Sequence, residues 1–182
     1  MVRVKVGDKL GNIYGPVFQG VNADGSPQFE DVNGDGTLNT DSGNVLQDDY
    51  DGRVLGTAYP TLEMSWSNVL EFGDGWTLNA FFRGAFGHSL INTFRAFYEP
   101  NVPSQTSYNQ MNTSLREPSL GVAQYSSLYV EKADFFMLDN LTISKRIDFG
   151  ADKTIKDPVL SLNETHPYIM TSYTRTDPST EI

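Results

Sequence analysis

Two successive stretches of strict alternation, joined by three residues, constrain this chain more than any other feature. From Thr61 to Phe72, one face carries Leu62, Met64, Trp66, Asn68, Leu70 and Phe72, and the other Thr61, Glu63, Ser65, Ser67, Val69 and Glu71. Gly73-Asp74-Gly75 reverses the direction, and Trp76, Leu78, Ala80, Phe82, Gly84 and Phe86 return opposite Thr77, Asn79, Phe81, Arg83 and Ala85. Side chains on a strand point to alternate sides, so a period of two predicts a hairpin that is oily on one side and wet on the other. The strands are 11 or 12 residues long, whereas about 5–6 is usual in globular proteins and about 9–11 tilted residues cross a bilayer. They read as a membrane-spanning hairpin, with Leu62, Met64, Trp66, Leu70, Phe72, Trp76, Leu78, Phe82 and Phe86 facing lipid. Phe72 and Trp76 flank the turn, where a barrel places an interfacial aromatic girdle. An amphipathic hairpin on one sheet of a soluble sandwich is the alternative.

The rest of the chain supplies short strands and long connections. Residues 2–6, 17–22 and 28–32 read as strands, the last two joined through Asp24-Gly25-Ser26-Pro27. Asp31 to Asp41 is dense in Asp, Asn and Gly, and a polar stretch continues to Arg53, so no regular structure is expected there. Gly87 to Ser127, rich in Asn, Ser, Gln and Pro, reads as a long loop with Phe94, Phe97, Tyr98 and Tyr108 scattered along it. Structureless loops beyond about 12–15 residues are uncommon in compact domains, but outer-membrane barrels alternate short periplasmic turns with long outer loops. On that pattern the Gly73–Gly75 turn is periplasmic, and residues 14–58 and 87–127 are extracellular. Phe135 to Ile147 is the next strand, with Leu141, Ile143 and Ile147 opposite Thr142, Ser144 and Arg146. Lys145 interrupts its apolar row and Phe135 to Leu138 is apolar on both faces, so a bulge near Asp139-Asn140 is expected to shift the phase. Val159 to Leu162 begins a further strand. No helix and no fixed-period repeat is evident.

Composition removes several classes. A formal net charge of −10 excludes a nucleic-acid partner, which needs a basic footprint. The acidity suits either a surface holding divalent cations or a plain solvated one. Without cysteine there is no disulfide framework or thiolate metal site. Met1 to Val6 alternates charged and β-branched residues and reads as a strand, not a secretion signal. No apolar run reaches the roughly 18 residues of a membrane helix, which leaves a barrel open because barrel strands hide their hydrophobicity in alternation.

Several blocks, in order, resemble the C-terminal region of the SusC/RagA family of TonB-linked outer-membrane proteins. They are Val6 through Ile13 to Tyr14-Gly15, Asp31 to Gly36, Tyr59-Pro60 leading into a strand, Phe81-Phe82 to Gly87, Tyr129-Val130-Glu131 to Phe135, and Leu138 through Asn140 to Thr142. The resemblance spans residues 2 to 178. It departs from the family pattern between Ile147 and Asn163, and Leu162 through Tyr168 and Thr174 to Asp177-Pro178 is a degenerate version of the usual closing motif. It implies an all-β fold, an antiparallel fragment of a transmembrane β-barrel with long extracellular loops, in the cell outer membrane. The plug, most of the barrel and the final strands are expected to lie outside this sequence. It implies import of oligosaccharides or peptides, with a SusD-like surface lipoprotein and the TonB complex as partners of the intact protein.

One loop has the pattern of a cation site. Asp31, Asn33 and Asp35 take positions 1, 3 and 5 of a calcium loop, Gly36 provides the sharp turn, and Thr37 offers a carbonyl. Position 12 is Ser42, with Asp41 one residue early. Calcium ordering the 31–42 loop is one reading, and an Asx-turn loop with solvated carboxylates is the other. His88 and His166 lack a second ligand at metal spacing and read as loop or surface histidines. The loop aromatics suit sugar stacking, a partner's lid or packing within the loop. No acid pair, phosphate-binding glycine pattern or nucleophile elbow is found, so no enzyme is expected. The competing class is a soluble secreted calcium-binding β-module that binds carbohydrate.

Overall fold

A computed structural model describes residues 4, 6–102, 110–149 and 157–174. Its strands, in chain order, are β1 (Asn12–Gly15), β2 (Phe18–Val21), β3 (Pro27–Phe29), β4 (Arg53–Thr57), β5 (Leu62–Phe72), β6 (Trp76–Phe86), β7 (Ser89–Ile91), β8 (Val130–Lys132), β9 (Phe135–Arg146) and β10 (Val159–Thr171). One short helix, α1 (Thr93–Tyr98), lies between β7 and β8. The fold is therefore all-β. β5, β6, β9 and β10 make one antiparallel sheet in the order β10-β9-β6-β5, and the remaining strands form three two-stranded ribbons. The sheet does not close among the described residues, so β5 and β10 are its edges.

Chain reversal between β5 and β6 rests on Gly73 and Gly75, whose φ values of 56° and 74° are open to glycine without a Cβ clash. The register pairs Leu62 with Phe86, Trp66 with Phe82, Leu70 with Leu78 and Phe72 with Trp76, so the alternating apolar row of each strand falls on one face. β9 joins that face through Ile143 opposite Leu78 and Leu141 opposite Ala80. Phe81 and Phe82 oppose Asn140 and Leu138, which leaves Asp139 unpaired in the expected bulge. Across β9 and β10, Thr165 and Tyr168 face Asn140 and Leu138, with His166 and Pro167 between them.

An aromatic row invisible in the sequence crosses the apolar face. Phe82 stacks on Trp66 at 5.4 Å and on Phe136 at 5.8 Å. Lys145, the interruption in that face, lies opposite Trp76 at the turn end and holds its ammonium 5.4 Å from the indole centre. A lysine at a strand end can lay its stem along apolar surface and keep its charge at the boundary. Glu164, opposite Leu141, is the charged exception in the middle of the face.

The connection between β6 and β9 departs from the expected irregular loop. α1 forms because Asn92 caps it, its side chain accepting the Arg95 N–H, and Arg95 and Glu99 fall four residues apart on one side. β7 and β8 pair at the base of the same connection. β1 and β4 likewise form a ribbon around the Asp-rich segment, and a 3-10 turn spans Ser42–Asn44. The β2–β3 hairpin matches expectation, with Gly25 at φ 83° in its turn. Of the strand expected over 2–6, residues 4 and 6 are not in a strand, and 2, 3 and 5 lie outside the described residues. Tyr108 and Asp177-Pro178 also lie outside them.

Candidate functional site

Geometry separates the sheet into two unlike faces and two unlike ends. On the apolar face no described residue covers the strands: Leu62 and Trp66 are 55% and 56% exposed, and Met64, Leu70, Phe72 and Trp76 are exposed with them. Leu78, Phe82 and Phe86 share this face and are half-buried, chiefly by their cross-strand neighbours. At one end lies the three-residue turn, with the start of β10 beside it. At the other, the chain enters β5, leaves β6, enters β9 and leaves β10, and there both the 14–58 and 87–127 segments gather.

The loop end has its own cores. Ala85, Phe135 and Met137 are buried with Ile169 against them, and Ala96, Leu120 and Tyr129 form a second cluster with Phe18, Val21, Ile91 and Leu128. Beneath them runs a buried polar joint. The Arg95 guanidinium donates to Glu99 at 2.9 Å, to Glu131 at 2.8 Å and to the Leu115 carbonyl at 3.0 Å. Thr113 donates its hydroxyl to the same Glu99 oxygen, Asn92 to Glu131, and the Thr174 N–H and hydroxyl to the second Glu131 oxygen. One carboxylate thus ties α1, β8 and the segment after β10 together. Burial alone would raise the Glu131 pKa, but the bonds from Thr174, Arg95 and Asn92 outweigh it and hold it below the usual carboxylate value.

The Asp-rich loop is ordered by its own main chain. Asp31 accepts from the Gly34 and Gly36 N–H groups at 2.6 and 2.9 Å, Asn33 from Asp35 at 2.9 Å, and Asp35 from the Thr37 N–H and hydroxyl. Asp41 stands apart, capping the 3-10 turn by accepting from the Gly43 N–H. The organising residue is Asp51, which no local pattern marked. It is fully buried and accepts from the Val32, Asn33 and Asn39 N–H groups. Among the described residues, no group of three or more His, Cys, Asp and Glu is arranged to hold a metal ion. Asp51→Ala removes a buried acceptor shared by three main-chain donors and is expected to cost the loop about 1–2 kcal/mol. Hydrogen exchange at Val32 to Asn39 should then quicken, and unchanged protection would refute the role given to Asp51.

The two histidines differ: His166 is exposed, as expected, and His88 is not. His88 is buried, 1% exposed, its ring edge-on to Phe135, and neither ring nitrogen has a hydrogen-bond partner. Burial pushes its pKa down, against the opposing pull of Asp134 and Glu63. Its place just after β6, folded back under the loops, is what removed it from water. His166, at φ 52° in β10, lies 2.9 Å from Asp139, which also meets Arg83 at 3.5 Å. The loop aromatics Phe94, Phe97 and Tyr98 ride exposed on α1, with Phe97 edge-on to Tyr125.

Between the two loop segments lies an open cleft of about 640 Å³. Ile13, Leu55, Ile91 and Val130 form its more buried lining, Tyr14 and Tyr50 pack together 5.9 Å apart at one part of the wall, and Val122, Tyr125 and Asp41 are exposed. Gln124 bridges the two segments by donating to the Thr40 carbonyl and hydroxyl, and the Ser127 N–H donates to the Pro16 carbonyl.

No protein-family model matches this chain. No curated protein matches it significantly. Solved structures do: the structure of the RagAB peptide transporter superposes with a TM-score of 0.71 at 19% identity, covering 92% of this chain and 20% of that one. The chain shares the fold of one part of that structure. The RagAB peptide importer matches in its closed-closed state (TM-score 0.67, 20% identity, 92% and 20% covered) and in its open-open state (0.67, 19%, 92% and 19%). At this identity the likeness establishes fold, and the chain spans about one fifth of the RagAB chains' length.

Proposed function

We propose that this chain is part of an outer-membrane, TonB-dependent β-barrel that imports oligosaccharides or peptides, its apolar face against lipid and its loop end outside the cell. The observation that carries this reading is the uncovered apolar face itself, which runs across four strands of 11 to 13 residues with Lys145 and Glu164 as its charged exceptions. Eleven residues at roughly 3.3 Å each, tilted by about 40°, rise roughly 28 Å, enough for an apolar band of about 25 Å. A monomeric soluble protein rarely leaves a patch of that kind in water. Concentration of the long connections at one end, and the shared fold with a peptide transporter, support the same reading. The SusD-like lipoprotein and the TonB complex enter it through the resemblance of the sequence blocks.

A soluble calcium-binding β-module is favoured by one observation, the Asp31 to Thr37 turn pattern, and is opposed by the bare face. One experiment separates them. Expressed alone, the chain is expected to aggregate in buffer and to become monodisperse only in detergent, because its oily face and the unpaired N–H and C=O groups of β5 and β10 need cover. A soluble monomer whose cooperative melting rises with added calcium would instead establish the module.

A further inference from the structure

Among the described residues the apolar face carries two charged side chains, Lys145 and Glu164, and they cannot satisfy each other. Lys145 lies opposite Leu160 and Glu164 opposite Leu141, and from position 141 to 145 the strand runs roughly 13 Å. No described carboxylate pairs with the Lys145 ammonium, whose contact is the Trp76 ring, 5.4 Å from its centre. Trp76 in turn stacks on Phe72, with centroids 6.5 Å apart and planes 9° apart, and both rings are exposed. The neighbouring Glu71 and Arg146 belong to the wet side, where they line a groove with Thr77 and Ser144. Asp74 stands at the tip of the turn, between the two strands.

We propose that Lys145, with Trp76 and Phe72, forms a subsite for the headgroup of an anionic phospholipid at the turn end of the face. The proposal rests on the membrane reading above and adds which lipid class that rim holds. An ammonium is strongly disfavoured at the middle of a bilayer and tolerated at its boundary, so Lys145 sets the level at which the rim meets the headgroups. There an indole keeps its apolar body among the chains and its N–H toward water, and the lysine stem lies along apolar surface. What the ammonium lacks is an anion, and the lipid phosphate is the anion that this layer holds. A headgroup with its own cation neutralises that phosphate, whereas one without leaves it for Lys145. The loop end of the face has no counterpart, since Leu62, Phe86, Phe136 and Met170 lie there. The chain as a whole, at a net charge of −10, repels an anionic membrane, so a preference for anionic lipid must arise at this one place.

Trp66 and Trp76 are the two tryptophans of the chain, which gives the middle of the face and its rim a fluorophore each. The full chain is placed in vesicles of mixed phosphatidylcholine and phosphatidylglycerol, with one or the other lipid brominated on its acyl chains so that it quenches an indole it touches. In Trp66→Phe, where Trp76 alone reports, phosphatidylglycerol is expected to associate about fivefold more strongly than phosphatidylcholine. Lys145→Gln should bring that ratio to one or below, whereas Lys145→Arg, and Arg146→Gln on the wet side, should keep it. Three results overturn the subsite: equal quenching by the two lipids in Trp66→Phe, a preference that survives Lys145→Gln, or displacement of the lipid by equimolar glycerol phosphate, which would mark a site for a soluble anion. With any of these, quenching of Trp66 by both lipids in Trp76→Phe leaves the membrane reading standing. If neither lipid quenches Trp66, the membrane reading falls and the subsite with it.

Discussion

Arg95→Met is expected to detach the outer connection from the sheet at a local cost of about 3–5 kcal/mol, the usual penalty for removing one partner of a buried charged group. The substitution preserves much of the side chain's length and leaves Glu99 and Glu131, which are 3% and 11% exposed at their side chains, without their cation. Because Glu131 also receives the Thr174 N–H and hydroxyl, the loss is expected to spread from α1 to the segment after β10. Hydrogen exchange in detergent would read it as faster exchange at residues 93–99 and 128–132, while β5 and β6 stay protected. Equal protection in the variant and the parent would show that the joint holds nothing. Acid should loosen the same joint. The folded Glu131 carboxyl sits below its ordinary value of 4.5, so the folded chain binds fewer protons there than the unfolded one. Its contribution is complete above that ordinary value and disappears as pH falls through the lowered one.

Neighbouring residues of β6 should respond oppositely to the same substitution. Phe82→Arg places a charge in the middle of the apolar face, between Trp66 and Leu138, and within a bilayer it is expected to cost about 2–4 kcal/mol. The lost stacking with Trp66 and Phe136 adds about 0.5–1.5 kcal/mol for each pair. Phe81→Arg points to the other side, between Ser67 and Asn140, and should change stability by less than about 1 kcal/mol. Unfolding titrations in lipid vesicles would measure both. If Phe82→Arg proved as mild as Phe81→Arg, the face would not be in lipid.

How far the sequence reached depended on whether a feature was local. The hairpin at Gly73–Gly75, the span of β9 and the bulge at Asp139 were legible, because alternation and a break in alternation are written in consecutive residues. α1 was missed because six residues hold too little periodicity to stand out from a polar stretch, although Asn92 as a cap and Arg95 and Glu99 four apart were its marks. Asp51 left no mark, since it acts on donors 12 to 19 residues away. His88 was misjudged for the opposite reason: polarity suggests exposure, but its neighbours in the chain fold over it. In the cation-type loop, spacing alone did not reveal that Asp31 and Asp35 already hold main-chain donors, or that Asp41 belongs to the cleft.

The unpaired Asp139 divides β9 into two lengths with opposite parity. Beyond it, toward the loops, Phe135 and Met137 turn away from the oily side and into the small core with Ala85 and Ile169. Before it, Thr142 and Ser144 occupy that same side, opposite Asn79 and Thr77. A single inserted residue therefore lets one strand serve a wet wall along most of its length and a dry seal at its rim, and excising it would turn Phe135 and Met137 out of that seal toward the oily side.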